Sequence, residues 1–312
     1  MFVIFKRRNL NTESDMAETH IVVLNGKRAG DDGIRQAVRH LRESGEDIQV
    51  RVTWEPEDIP RFVREAHQLK AATVIAAGGD GTINAVCSAL MAYPAEKRPV
   101  LGILPLGTAN DFATAAGIPA DKTKALLLAA KGSAVAIDIG CINESHYFIN
   151  MATGGFGPKI TTDTPEALKS TFGGAAYFLH GLTRSDLLKA DHCTISCDDF
   201  HWQDDALVIG VGNGCQAGGG HKLCPDARIN DGLLNLSILP ERNWPRSLWN
   251  SLFNEGEAEG VIMKRSTRIT INAAHEMVFN LDGEPLTGQQ FTFSVLPEAI
   301  QCRLPPHCGL LS

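Results

Sequence analysis

The chain has 312 residues, 44% hydrophobic and 21% charged, an ordinary globular composition with enough apolar mass for two cores. Its formal net charge of −7 leaves no global excess of Lys and Arg to displace counterions from nucleic acid or to hold it on an anionic bilayer, which leaves only a local basic patch for either task. The eight cysteines form no C-x-x-C pair, the ten histidines show no zinc spacing, and no apolar run reaches the roughly 18–20 residues that span a bilayer, so buried free thiols in a reducing cytosol are expected.

Residues 1–15 lack a periodic apolar pattern, and their charges follow rather than precede the apolar Phe2–Phe5, the wrong order for a signal peptide. They read as a disordered extension arising from start-site choice or an expression vector. His20–Leu24 is the first predicted strand, followed by a loop with Lys27 and Arg28, cations for a phosphate or simply for solvent. Ile34, Ala37, Val38 and Leu41 mark an amphipathic helix. Asp47–Thr53 alternates as a second strand, and Ile59, Phe62, Val63, Ala66 and Leu69 form the next helix face. Ala72–Ala76 is a third, buried strand. It runs into Gly78-Gly79-Asp80-Gly81-Thr82, after which Ile83, Val86 and Leu90 take up helical spacing from Thr82 onward.

A glycine-rich strand-to-helix corner exposes backbone N–H groups and removes the side chains that would block a polyphosphate. Thr82 is placed to cap the helix and to donate its hydroxyl to a phosphate. Asp80 is the odd member: beside phosphates a carboxylate needs a cation or a proton. The plainer reading of this stretch is a tight turn. A second apolar strand, Leu101–Leu104, then enters Gly107-Thr108-Ala109-Asn110-Asp111-Phe112-Ala113, where Asn110 or Asp111 can cap the next helix. Two polar corners after neighbouring parallel strands face one crevice at the strand C-termini, where open α/β sheets bind ligands. The helical Leu126–Ala130 run closes near Lys131-Gly132.

Beyond Ala134 period-2 segments dominate: Ala134–Ile142, Tyr147–Met151, Cys193–Cys197, Leu207–Val211, Leu234–Leu239, Arg268–Asn272, Met277–Leu281 and Phe291–Leu296. Two helices are expected among them, over Thr164–Leu188, with a break at Gly173-Gly174, and near Pro245–Asn254. The apolar Ala175–Leu182 stretch suits a core helix, with acyl-chain contact as the second reading. The fold class expected is an α/β N-terminal domain with a parallel sheet, followed by a mainly antiparallel β-sandwich. Asp138, an acid inside an apolar run, calls for buried partners, with Asp111 or a lysine as candidates. The glycines of Gly210–Gly214 and Gly218–Gly220 open no helix, which argues against a dinucleotide fingerprint and for close backbone approach between domains. Asp231-Gly232 and Asp282-Gly283 are turn pairs, and Asp282-Gly283 signals a hairpin.

Gly78–Thr82 followed by Gly107–Ala113 resembles the diacylglycerol kinase catalytic family, which includes sphingosine and ceramide kinases, is distantly related to NAD kinases, and within which the bacterial YegS-type lipid kinases are most similar. The resemblance runs from about Ile21 to the C-terminus, although the loop at Asn25–Ala29 lacks the family's Pro and Ser. It implies an ATP-dependent lipid kinase, with nucleotide contacts at Thr53, Gly78, Gly79, Asp80, Gly81, Thr82, Ile83, Asn84 and Thr108. It implies a Mg²⁺ site, with Ca²⁺ as the alternative ion, made of the Asp231 side chain and the carbonyls of Arg228 and Leu233, a donor set of oxygen alone. It implies Glu284 as the general base, phosphatidylglycerol or diacylglycerol as acceptor with a lean to the former, and peripheral contact of a cytoplasmic enzyme with the inner membrane face. The domains expected are 16–138, which binds nucleotide, 139–297, which carries metal loop and base, and a 298–312 tail packed back on the first domain. An NAD kinase-like nucleotide kinase and a non-catalytic nucleotide or lipid sensor are the competing readings. The intact acids at 80, 231 and 284 argue against the sensor.

Overall fold

A computed structural model describes residues 18–155, 190–241 and 260–312. The expected 1–15 extension, the two helices predicted over 164–188 and 245–254, and the apolar stretch 175–182 lie outside the described residues.

The first half alternates strand and helix. Strands β1 (Thr19–Asn25), β2 (Asp47–Thr53), β3 (Thr73–Gly78) and β4 (Val100–Pro105) form a parallel sheet in the order β4-β3-β1-β2. Helices α1 (Asp32–Glu43), α2 (Asp58–Gln68), α3 (Asp80–Leu90), α4 (Asp111–Ala115) and α5 (Lys122–Lys131) accompany them. The chain leaves β1 for β2 on one side, then returns to β3 on the other. That reversal opens a crevice between the C-terminal ends of β1 and β3. β3 is buried along its whole length, as a central parallel strand covered on both faces must be.

The second half is antiparallel. Strands β5 (Ala134–Ile142), β6 (His146–Phe148), β7 (Met151–Gly154), β8 (Asp191–Cys197), β9 (Phe200–Gly212), β10 (Leu234–Pro240), β11 (Ile262–Ser266), β12 (Arg268–Leu281) and β13 (Glu284–Arg303) complete a sandwich-like array. Phe279, Phe291 and Phe293 centre its core, with Phe279 and Phe291 edge-to-face at 4.7 Å between centroids. Three expectations need correction. The predicted strand Tyr147–Met151 is broken, because the N–H groups of Ile149 and Asn150 turn to the Asp282 carboxylate instead of a neighbouring strand. The segments Arg268–Asn272 and Met277–Leu281 are one strand with a register shift between them. β11 was not expected at all: its residues are mostly exposed, so no clean alternation marks it.

The two halves share strands. β13 pairs with β12 and β5 and, at Cys302, runs parallel to Leu101 of β4. Leu304, Cys308 and Leu310 pack in the same apolar core as β1, β3 and β4. All eight cysteines are free and all but Cys215 are buried. Burial pushes the Cys193 and Cys224 thiols up to about 12, which suits inert packing residues rather than nucleophiles. No helix among the described residues is long and apolar enough to cross a membrane.

Candidate active site

The corner after β3 begins its helix two residues earlier than the apolar spacing predicts. Gly79 is the N-cap and Asp80 the first helical residue, so Thr82 lies inside the first turn and does not cap it. The N–H groups of Thr82 and Ile83 both return to the Gly79 carbonyl, at 2.9 and 3.0 Å. Those of Asp80 and Gly81 have no carbonyl within the helix to take up. Thr82 Oγ1 accepts from Asn25 Nδ2 at 3.1 Å, a bond that spans the switch point between β1 and β3. Gly78 has to be glycine, since a Cβ there would sit 2.3 Å from that hydroxyl oxygen. Thr53, at the end of β2, accepts the Gly26 N–H on its hydroxyl at 3.3 Å and so holds the loop after β1. Lys27 and Arg28 lie in that loop as a short 3-10 turn with exposed side chains.

The second corner is pressed against the first. A Cβ on Gly107 would lie 2.5 Å from the Cα of Gly79, so the two turns meet backbone to backbone. Asn110 occupies the N-cap position of α4 in the left-handed region, but its amide closes the turn onto Gly107 instead of capping the helix. Thr108 stands exposed between them. Asp111 is buried and reaches the second half of the chain: its carboxylate accepts the N–H groups of Gly219 and Gly220, the latter at 2.7 Å. These glycines have φ of 88° and 101°, which explains the run of three. Asp80 accepts the Phe112 N–H at 3.3 Å, and burial first, then the charge of Asp111, raises its pKa.

The third part is the hairpin between β12 and β13. Asp282 and Gly283 both have positive φ, 50° and 112°, the backbone signature of a two-residue I′ turn. Asp282 is buried and its carboxylate accepts three successive backbone N–H groups, from Ile149, Asn150 and Met151. Burial pushes its pKa up to about 7 despite those bonds, and the charge of Asp80 adds to the rise. Glu284 follows at the start of β13, exposed, and its carboxylate has no hydrogen-bond or ion-pair partner among the described residues. This turn lies directly on the first corner: a Cβ on Gly283 would be 3.6 Å from the Cα of Gly81. Asn84 ties the same junction, donating to the carbonyls of Tyr147 at 3.1 Å and Leu281 at 3.5 Å.

Residues 78–84, 107–111 and 282–284, read from separate stretches of sequence, therefore meet in one place. Ile83 faces the core and Asn84 the interdomain junction, so the open surface of the corner comes from Gly79 to Gly81 and from Thr108.

Residues 19–142 match the family model described as the diacylglycerol kinase catalytic domain, and residues 159–303 match the YegS C-terminal NAD kinase beta sandwich-like domain. A protein of Serratia proteamaculans (strain 568) named "Probable lipid kinase YegS-like" is 59% identical over 93% of this chain and 95% of its own length. The chain belongs to the YegS-like lipid kinase family. A protein of the same name from Yersinia pestis (strain Pestoides F) is 56% identical over 93% of the chain and 98% of its own. Among solved structures, a diacylglycerol kinase from Bacillus anthracis str. Sterne superposes with a TM-score of 0.76 at 23% identity, covering 93% of this chain and 97% of that one, a likeness of fold.

The Asp231 loop lies apart from these three turns in sequence and is held from several sides. Asp138, fully satisfied by the N–H groups of Gly232 and Glu298 at 2.7 and 2.8 Å, anchors it. Its partners are thus backbone groups, not Asp111 or a lysine, because a carboxylate buried in β5 meets the chain that crosses it. Ile229 donates to the Leu310 carbonyl, and Ser312 donates to Asn230. Asp231 itself accepts the Leu233 N–H on Oδ1 and pairs through Oδ2 with Arg265 of β11. One carboxylate with two backbone carbonyls would make an oxygen-only donor set, which suits a weakly held, hard divalent ion. The position of Arg265 is the one feature that opposes it.

Proposed function

We propose that the chain is an ATP-dependent lipid kinase that transfers the γ-phosphoryl group to a primary lipid hydroxyl. The contact between Gly81 and the Asp282–Gly283 turn carries this reading. It sets a helix N-terminus suited to phosphate beside a turn whose next residue is a carboxylate with no partner among the described residues. In this reading residues 16–138 hold the nucleotide, residues 139–297 supply base and metal loop, and residues 298–312 are a tail packed back on the first domain.

Phosphoryl transfer leaves little covalent chemistry to the protein, so positioning and charge dominate. The N–H groups of the first turn of α3 receive phosphate oxygens, and the glycines let the chain approach closely. Thr108, after β4, and Thr53, at the end of β2, add nucleotide contacts in this reading. Glu284 accepts the proton of the lipid hydroxyl as that oxygen attacks the γ-phosphorus. Asp80, whose pKa is raised by burial first and by the charge of Asp111 second, is stabilised as an anion by any positive charge brought beside it. A divalent ion, Mg²⁺ with Ca²⁺ as the alternative, held by Asp231 and the carbonyls of Arg228 and Leu233, would supply positive charge against the anionic substrates.

The acceptor comes from a bilayer, so the enzyme works at a membrane surface from the cytoplasmic side. Phosphatidylglycerol and diacylglycerol both offer the required primary hydroxyl. Transfer of radiolabel from γ-labelled ATP onto a panel of these lipids and NAD tests the proposal. Labelled lipid supports it, labelled NAD replaces it with a nucleotide kinase, and ATP binding without transfer replaces it with a sensor.

A further inference from the structure

We propose that Arg265 is the resident counter-cation of the Asp231 loop and sets how tightly that loop takes a divalent metal ion. This rests on the reading that the loop is a divalent site.

The asymmetry of the pair carries the inference. Asp231 cannot move away easily. Its Oδ1 accepts the Leu233 N–H at 3.0 Å, the adjoining Gly232 N–H is held by Asp138 at 2.7 Å, and Asn230 is tied to Ser312 at 2.9 Å. Its side chain is only 13% exposed. Arg265 is the opposite case: a long arm, 48% exposed, reaching in from β11, the last strand on that side of the sheet among the described residues. It takes the one carboxylate oxygen that the loop leaves without a backbone partner. A metal ion arriving at Asp231 must therefore either share this oxygen with a guanidinium, at the cost of cation–cation repulsion, or displace it. Space for displacement exists. A cavity of about 310 Å³ next to Arg265 is lined also by Lys264, Met263, Asn235, Cys224 and Asp226, and Asp226 offers the departing guanidinium another carboxylate. The protein thus carries its own competitor for the metal, and half-occupancy falls at a higher divalent concentration than a bare oxygen loop would require.

The test uses the full chain, titrated with MgCl₂ at constant ionic strength and followed by calorimetry and by the thermal midpoint, neither of which needs catalysis. Asp231→Asn should remove the response. Arg265→Gln should bind Mg²⁺ at a concentration roughly fivefold lower, the ratio equivalent to the upper range for an exposed ion pair. Arg265→Lys, which keeps the charge, should stay near the parent. Lys264→Gln is the control for local positive charge, because Lys264 lines the same cavity and sits over the Phe200 ring at 5.0 Å, while the ion pair to Asp231 comes from Arg265. If Asp231→Asn leaves the response intact, the metal reading itself fails and the inference with it. If Asp231→Asn removes the response but Arg265→Gln titrates like the parent, or Lys264→Gln tightens binding equally, the metal reading stands and the role of Arg265 is refuted.

Discussion

The Asp282 carboxylate accepts the backbone N–H of Met151 at 2.8 Å across 131 positions of sequence. With the N–H groups of Ile149 and Asn150 on its other oxygen, it clamps the hairpin of Glu284 to the start of β7. Asn in its place offers one acceptor oxygen instead of two and brings an NH₂ group that faces N–H donors. Asp282→Asn should therefore cost about 2 kcal/mol of stability, the order of an unsatisfied buried donor, read as a lower urea midpoint.

The same residue predicts a pH dependence. Its folded-state pKa is raised from 3.8 to about 7, by burial first. A folded state that holds the proton more tightly than the unfolded one is favoured at low pH. The contribution is fully present below the ordinary carboxylate pKa and is lost as pH rises through about 7. Urea midpoints of the parent should fall across this window relative to Asp282→Asn, which has no proton to lose. Parallel curves for the two proteins would count against the raised pKa.

Glu284→Gln keeps the size and polarity of the side chain but cannot accept the hydroxyl proton. Turnover of lipid should drop by ~10²-fold or more, while ATP binding measured by calorimetry stays near the parent. A Gln variant that turns over lipid at the parental rate would remove Glu284 as base and leave Asp80 as the leading candidate.

Asp80→Asn retains an oxygen for the Phe112 N–H and removes a buried charge that Asp111 repels, so it should fold with a thermal midpoint no lower than the parent's. Loss of its charge should slow transfer ~100-fold, about 3 kcal/mol of transition-state stabilisation. Near-normal turnover would reduce Asp80 to a turn residue.

Chelation bears on the Asp231 loop. EDTA should abolish transfer and added Mg²⁺ restore it, as expected of a few oxygen donors in exchange with solvent. Asp231→Ala should raise the Mg²⁺ concentration needed or end activity. An unchanged Mg²⁺ dependence would place the metal at other residues.

Much of this architecture was legible in the chain because it depends on neighbours in sequence. The period-2 and helical spacings of apolar residues marked β1 to β5 and the helices between them, and glycine next to Asp or Thr marked the turns at 78–82, 107–108 and 282–283. The strand-to-helix corner is a local object: its exposed N–H groups and missing side chains follow from a few consecutive residues. The start of α3 was misread by two residues, because apolar spacing reports the buried face of a helix and Asp80 and Gly81 lie off that face.

Pairings between distant segments were not legible. Asn25 to Thr82, Asp111 to Gly219 and Gly220, Asp282 to residues 149–151 and Arg265 to Asp231 all join stretches whose local patterns are satisfied without them. Arg265 could not be anticipated, since its strand is an exposed edge with little apolar alternation. Sequence by itself determined which turns are glycine-rich and which carboxylates are available, because backbone freedom and side-chain chemistry belong to single residues. Only the tertiary structure decided that Glu284 has no partner among the described residues beside the corner while Asp111, Asp138 and Asp282 are consumed in holding backbone and Asp231 faces an arginine. The fate of a carboxylate is set by burial and by which donors lie within about 3 Å, and those are brought there by the packing of strands far apart in the chain.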